Sequence, residues 1–241
     1  MNENALPESH LLVAGISLAD VEATMSFARL ILERLQVVPA GLLVEMRISN
    51  FATGTGHRIV SKGGALQDIP SDEKLQQVSK SEARALRTLM SQLAAERSTR
   101  WSCEVAEGDL VACACAATAG DDVLLLCQRP MLGFNGKVLL LGAAKIHSAT
   151  ALNLAQALAK ASETSVLEIE AGDVDAEEIF SRVDRSRTAA IVVDLNVGPL
   201  TSEEDLRRLV SAARCPVVVI GANRTRHPAL VEDADGQGLG V

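Results

Sequence analysis

The sequence predicts an α/β chain, with a mostly parallel sheet held between two layers of helices, and three observations carry that prediction. Short apolar runs without polar alternation recur along its length, among them Leu11–Ala14, Val123–Leu126, Val138–Leu141, Ala189–Val193 and Val217–Ile220. Such runs suit strands covered on both faces. Most are followed within a few residues by a stretch with apolar positions at helical spacing, the order of a βα unit whose next strand returns by a right-handed crossover. Finally, 48% of residues are apolar but only 2% aromatic, with no Tyr, so the core is aliphatic and small enough to let helices approach a sheet closely.

The first strand is His10–Ala14, after a polar leader of residues 1–9. Ser17 caps a helix, with Asp20 three residues on in a capping-box pattern. The apolar stripe of that helix is Leu18, Val21, Met25, Ala28, Leu32 and Leu35. Ala40–Ile48 is the second strand. A polar, glycine-bearing stretch follows from Ser49 to Pro70, with T-G-T-G at 53–56 and K-G-G at 62–64. Ser71 or Asp72 starts a long helix to about Arg97, and its Lys80, Arg84 and Arg87 form a basic face. Trp101–Val105 is the third strand, Glu107–Asp109 a turn, Leu110–Ala119 a short Ala/Cys-rich helix, and Val123–Cys127 the fourth strand.

Gln128–Asn135 is a connector without periodicity. It divides the chain into a first α/β unit over 10–131 and a more compact second unit over 136–222, with a polar tail over 223–241. The second unit opens with Val138–Leu141 and a helix capped by Ser148, in which Leu152, Ala155, Leu158 and Ala159 recur at helical spacing. Ser165–Glu170 is its second strand, and Asp173 or Asp175 caps the next helix. Ala189–Asp194 is the third strand. Thr201 and Glu204 form a capping box before a helix with Leu206, Leu209, Val210 and Ala213, and Cys215–Ile220 is the last strand. The fold class is therefore a three-layer, Rossmann-like or flavodoxin-like arrangement in two tandem units. The first lacks a last helix and strand of its own, so the halves could complete a shared sheet.

Composition narrows the function. A formal net charge of −8 and few aromatic residues argue against nucleic-acid binding by phosphate contacts or base stacking. No apolar run reaches the length of a membrane span. The five Cys are irregularly spaced, with no C-x-x-C pair, and Cys113 and Cys115 would point about 200° apart on a helix. They read as reduced thiols without a metal, and reduced thiols predict a cytoplasmic setting.

No catalytic set stands out, so the chain is not expected to be an enzyme. His10, His57, His147 and His227 are scattered; His57 could act as a base, but no G-x-S-x-G element accompanies it. Asp194, at a strand end, could hold a metal or a ribose or cap the following turn. The glycine-bearing stretch could cradle a phosphate or be a plain surface loop; it contains neither a P-loop nor G-x-G-x-x-G. A ligand site in such a fold lies beyond the carboxyl ends of the strands. The candidates there are Gly15, Ser17, Thr53, Gly54, Gly56, Lys62, Gly142, Lys145, Ser148, Asp194 and Asn196.

Several of these motifs resemble the universal stress protein family. Ser148-Ala-Thr-Ala151-Leu152 is similar to the start of that family's first helix, Cys215-Pro216-Val217 to its last strand, and the Glu-Gly-Asp turn at 107–109 to the turn before its third helix. The resemblance spans about residues 10–222 as a tandem pair. It implies a stress-response module, cytoplasmic and homodimeric, with an adenine-nucleotide site in the members that bind ATP. Those members carry an Asp at the end of the first strand, where this chain has Gly15 and, in the second unit, Gly142 or Ala143. They also carry G-x2-G-x9-G-[ST] after the fourth strand; here Gly133-x2-Gly136 leads straight into a new strand. The expected function is thus a non-catalytic module with a degenerate nucleotide motif and no cofactor, acting through a homodimer or an unknown protein partner, with no nucleic acid or membrane. The alternative is a sensor that binds an adenine nucleotide or another small ligand at the strand ends.

Overall fold

In a computed structural model, the described residues are 9–45, 58–60, 66–68, 72–128, 136–142, 148–170, 176–197 and 199–223. The first unit contributes β1 (His10–Gly15), α1 (Leu18–Arg34), β2 (Val38–Glu45), a hairpin of β3 (Arg58–Val60) and β4 (Leu66–Asp68), α2 (Asp72–Ala95), β5 (Ser102–Glu107), α3 (Leu110–Ala117) and β6 (Val123–Leu126). The second contributes β7 (Lys137–Gly142), α4 (Ala149–Ala161), β8 (Val166–Glu170), α5 (Ala176–Arg185), β9 (Thr188–Asp194), α6 (Glu203–Ala212) and β10 (Val217–Ile220).

All strands but the hairpin join one eight-stranded sheet in the order β5-β2-β1-β6-β10-β9-β7-β8. Within each unit the strands are parallel. The units meet where β6 pairs antiparallel with β10, Leu125 opposite Val218. The shared sheet that the sequence allowed is therefore formed, but its halves run in opposite directions. They also differ in winding. Numbering the main strands of each unit by sequence, the first unit has the order 3-2-1-4 and the second 2-1-3-4.

The helices divide by face as right-handed crossovers require. One apolar layer joins residues of α1, α2 and α4 to the sheet, and the other joins residues of α3, α5 and α6. α1 packs on both α2 and α4, and α6 on both α3 and α5, so each layer bridges the seam. The strands at the seam are dry: Leu124, Leu125, Leu126 and Val218 are fully buried. Arg207 of α6 adds a polar clasp, pairing with Asp109 at the start of α3 at 3.2 Å and with Glu203 at 2.6 Å.

Local signals place most elements. The Ser17 side chain accepts from the Asp20 N–H, Asp109 from Ala112 and Ser148 from Ala151. Several details differ from expectation, among them the start of β2, at Val38 rather than Ala40. The capping box before α6 is Ser202 with Asp205, one residue beyond Thr201 and Glu204. β5 runs on through Glu107, leaving Gly108, at φ +145°, to make the turn before Asp109. The described parts of the 49–70 stretch include the β3–β4 hairpin. The last strand starts at Val217, after Pro216. The proposed caps Asp173 and Asp175 lie outside the described residues.

Candidate functional site

The antiparallel seam determines where the candidate residues fall. Because the second unit is inverted, the carboxyl ends of its strands lie at the opposite end of the sheet from those of the first. Gly15 and Ser17 are thus at one end, and Gly142, Ser148, Asp194 and Asn196 at the other. They are two places, one for each unit's reversal of strand order: between β1 and β6, and between β7 and β9. Thr53, Gly54, Gly56, Lys62 and Lys145 lie outside the described residues, as do His57, His147 and His227.

The first end is filled by the protein itself. A Cβ placed on Gly15 would stand 3.0 Å from the Asp20 Cβ and 3.1 Å from Val21, so glycine there lets α1 start directly against β1. At the first turn of α1, Ser17 donates to the buried Asp20 carboxylate at 2.8 Å and accepts from the Asp20 N–H. The Leu18 N–H points to Glu82 of α2 at 3.5 Å. Two carboxylates thus sit at the positive end of this helix, where an incoming phosphate would otherwise bind.

At the second end Asp194 is buried, and its Oδ1 accepts from the Asn196 N–H at 2.8 Å. That bond makes the tight turn after β9, the capping role that the sequence left open. Gly221, at φ +76°, passes so close to Asn196 that a Cβ would fall 2.5 Å from its Nδ2. Asn196 also lines a cleft of about 570 Å³ with Thr150, Gly221 and Asn223 on one wall and Ser9, Gln36 and Asp121 on the other. Its walls come from the carboxyl end of the second unit and the amino end of the first. The sequence reading picked out Asn196 and, two residues from Thr150, Ser148. It missed the opposite wall, because only the inverted seam brings the two together.

Two further clefts adjoin the turn between α1 and β2. One, of about 580 Å³, is lined by Leu32–Val38 with Arg97 and Thr99; the other, of about 430 Å³, by Arg29, Glu33, Leu93, Glu96 and Arg97. A separate groove of about 250 Å³ runs beside β5 past Ser102, Glu104, His10 and Asp122. There the His10 Nδ1 lies 3.3 Å from the buried Asp122 Oδ1, which also accepts from the His10 N–H at 2.6 Å. Among the described residues no three His, Cys, Asp or Glu side chains cluster as metal ligands, and no helix is long and apolar enough to cross a membrane.

The cysteines are free thiols, with Cys115, Cys127 and Cys215 buried. Burial pushes the Cys215 thiol up to about 11, against the opposing hydrogen bond from Thr188. Burial also raises the partly exposed Cys103 and Cys113.

No protein family and no curated protein matches this sequence. Among solved structures, the chain is similar to a universal stress protein from Archaeoglobus fulgidus DSM 4304, with 11% identity over 88% of this chain and 96% of that one and a TM-score of 0.39. An overlap of that size assigns neither a family nor an activity.

Proposed function

We propose that this chain is a non-catalytic module of the universal-stress-protein kind that works by self-association, its sheet edge at β5 pairing with that of a second copy. The observation that carries this reading is the character of that edge. Of the four exposed large apolar side chains among the described residues, Val78, Trp101 and Val105 are on β5, just before it, or on α2, which packs against it. Among the described strands β5 has a neighbour on one side only, an edge to which another strand could add. The same edge carries both signs of charge, with Glu104 and Glu107 on β5 and Lys80, Arg84 and Arg87 on α2, all exposed. A two-fold interface must be complementary to itself, and a mixed edge suits that.

The carboxylates at the start of α1 support a degenerate nucleotide motif in the first unit, because a phosphate approaching that helix end would meet like charge. Light scattering on the full chain tests the proposal. The wild type should have twice the chain mass at micromolar concentration, and Val105→Lys, which sets a charge on the edge strand, should have the mass of one chain. A wild type with the mass of one chain at all concentrations would overturn it.

A further inference from the structure

The seam brings a second feature into being, apart from the β5 edge. The segment 35–37, between α1 and β2, lines two clefts, of about 580 and about 570 Å³. The first holds Arg34 and Arg97, neither of which has a carboxylate partner among the described residues, although Arg29 beside them is paired with Glu96 at 3.2 Å. Guanidinium groups without a described carboxylate partner suit a phosphate, which each can bind in a forked geometry. The second cleft is lined by Gln36, Asp121 and Asn196 beside apolar Leu35, Val37 and Ile220, and among the described residues by no aromatic side chain on which a base could stack. Its amide and carboxylate groups match hydroxyls, which both donate and accept. Glu33 also lines the arginine lobe, so the two guanidinium groups act on an anion against one carboxylate.

We infer that this seam groove binds a sugar phosphate, with the phosphate on Arg34 and Arg97 and the hydroxyl-bearing body across Gln36 toward Asn196. The phosphate lobe belongs to the first unit, while the body of the ligand would meet both units, because each supplies one wall of the second cleft. The inference goes beyond self-association and fails separately from it: the groove does not include β5, so binding can be measured whatever the mass of the particle.

Isothermal titration of the full chain with ribose 5-phosphate, glucose 6-phosphate, inorganic phosphate and ribose tests it. At least one sugar phosphate should bind at least tenfold more tightly than inorganic phosphate, and ribose should give no heat. Arg34→Gln and Arg97→Gln should each weaken that binding tenfold or more, and Asn196→Ala should weaken the sugar phosphate but not inorganic phosphate. These side chains are exposed, so the variants should keep the wild-type circular dichroism. The inference is overturned if no sugar phosphate binds at millimolar concentration, if inorganic phosphate binds as tightly as the esters, or if both arginine variants bind as the wild type does.

Discussion

Leu125 is the side chain through which the two units are most directly joined. It lies on β6 between Val13 of β1 and Val218 of β10, and it is fully buried. Leu125→Ala removes three carbon atoms from this contact, a transfer loss of about 2.4 kcal/mol at ~0.8 kcal/mol for each group. The cavity left behind adds to that, because the neighbours are strands of a continuous sheet and cannot collapse into it, so the total should be about 3–4 kcal/mol. For a chain of this size, ~2–4 °C is lost per kcal/mol, which gives a fall in Tm of roughly 6–16 °C. Differential scanning calorimetry reads both the size and the form of the effect. If the sheet folds as one body, the wild type and the variant each melt in a single transition, and the whole transition moves. Val218→Ala, on the other side of the seam, should move the same transition by a smaller amount. Two transitions, with one unmoved by Leu125→Ala, would refute the reasoning.

Three smaller expectations follow from local geometry. Ser98, in the turn that closes the C-terminal end of α2, is in the left-handed region at φ 52°, where glycine carries no side-chain penalty, so Ser98→Gly should raise stability by about 1 kcal/mol in urea unfolding. Burial would raise the pKa of Asp109, but the Ala112 N–H and the Arg207 guanidinium outweigh it and hold the carboxyl below its usual range. Its contribution is therefore present above the ordinary carboxylate pKa of about 4 and lost as pH falls through the lower folded value. Asp109→Asn, which keeps the cap, should reduce stability at neutral pH by less than about 1 kcal/mol, since the pair is half exposed, and the difference should vanish in acid. Among the thiols, Cys103 and Cys113 should react with a disulfide reagent in the native protein at pH 8, while Cys115, Cys127 and Cys215 should react only on unfolding.

The elements were legible wherever local chemistry decides them. Val138–Leu141 reads as a strand because it is apolar on both faces, and Ser148 as a cap because a short hydroxyl side chain precedes a helical stripe; both hold. Before α6 the pattern of Thr201 with Glu204 is read as the capping box, but Ser202 with Asp205 repeats that pattern one residue on. In the fold Ser202 is the cap, and Asp205 also accepts from the Thr201 N–H. The hairpin strands Arg58–Val60 and Leu66–Asp68 are too short to show a period. Strand direction was the larger gap. Val123–Leu126 and Val217–Ile220 are buried runs that look alike whether they pair parallel or antiparallel. Their antiparallel pairing sends the candidate residues to opposite ends of the sheet and creates the groove between Asn196 and Asp121. For Asp194, turn capping was one of the roles its place at a strand end allowed, and its bond to the Asn196 N–H is of that kind.

Trp101 gives the most direct measurement of the proposed self-association. It is the single Trp in a chain without Tyr, it is 39% exposed, and it stands immediately before the edge strand. Its emission should therefore shift to the blue as the protein is concentrated from nanomolar to micromolar, along a monomer–dimer isotherm, and Val105→Lys should abolish the shift. An emission maximum that stays at the solvent-exposed position across that range would contradict pairing through β5.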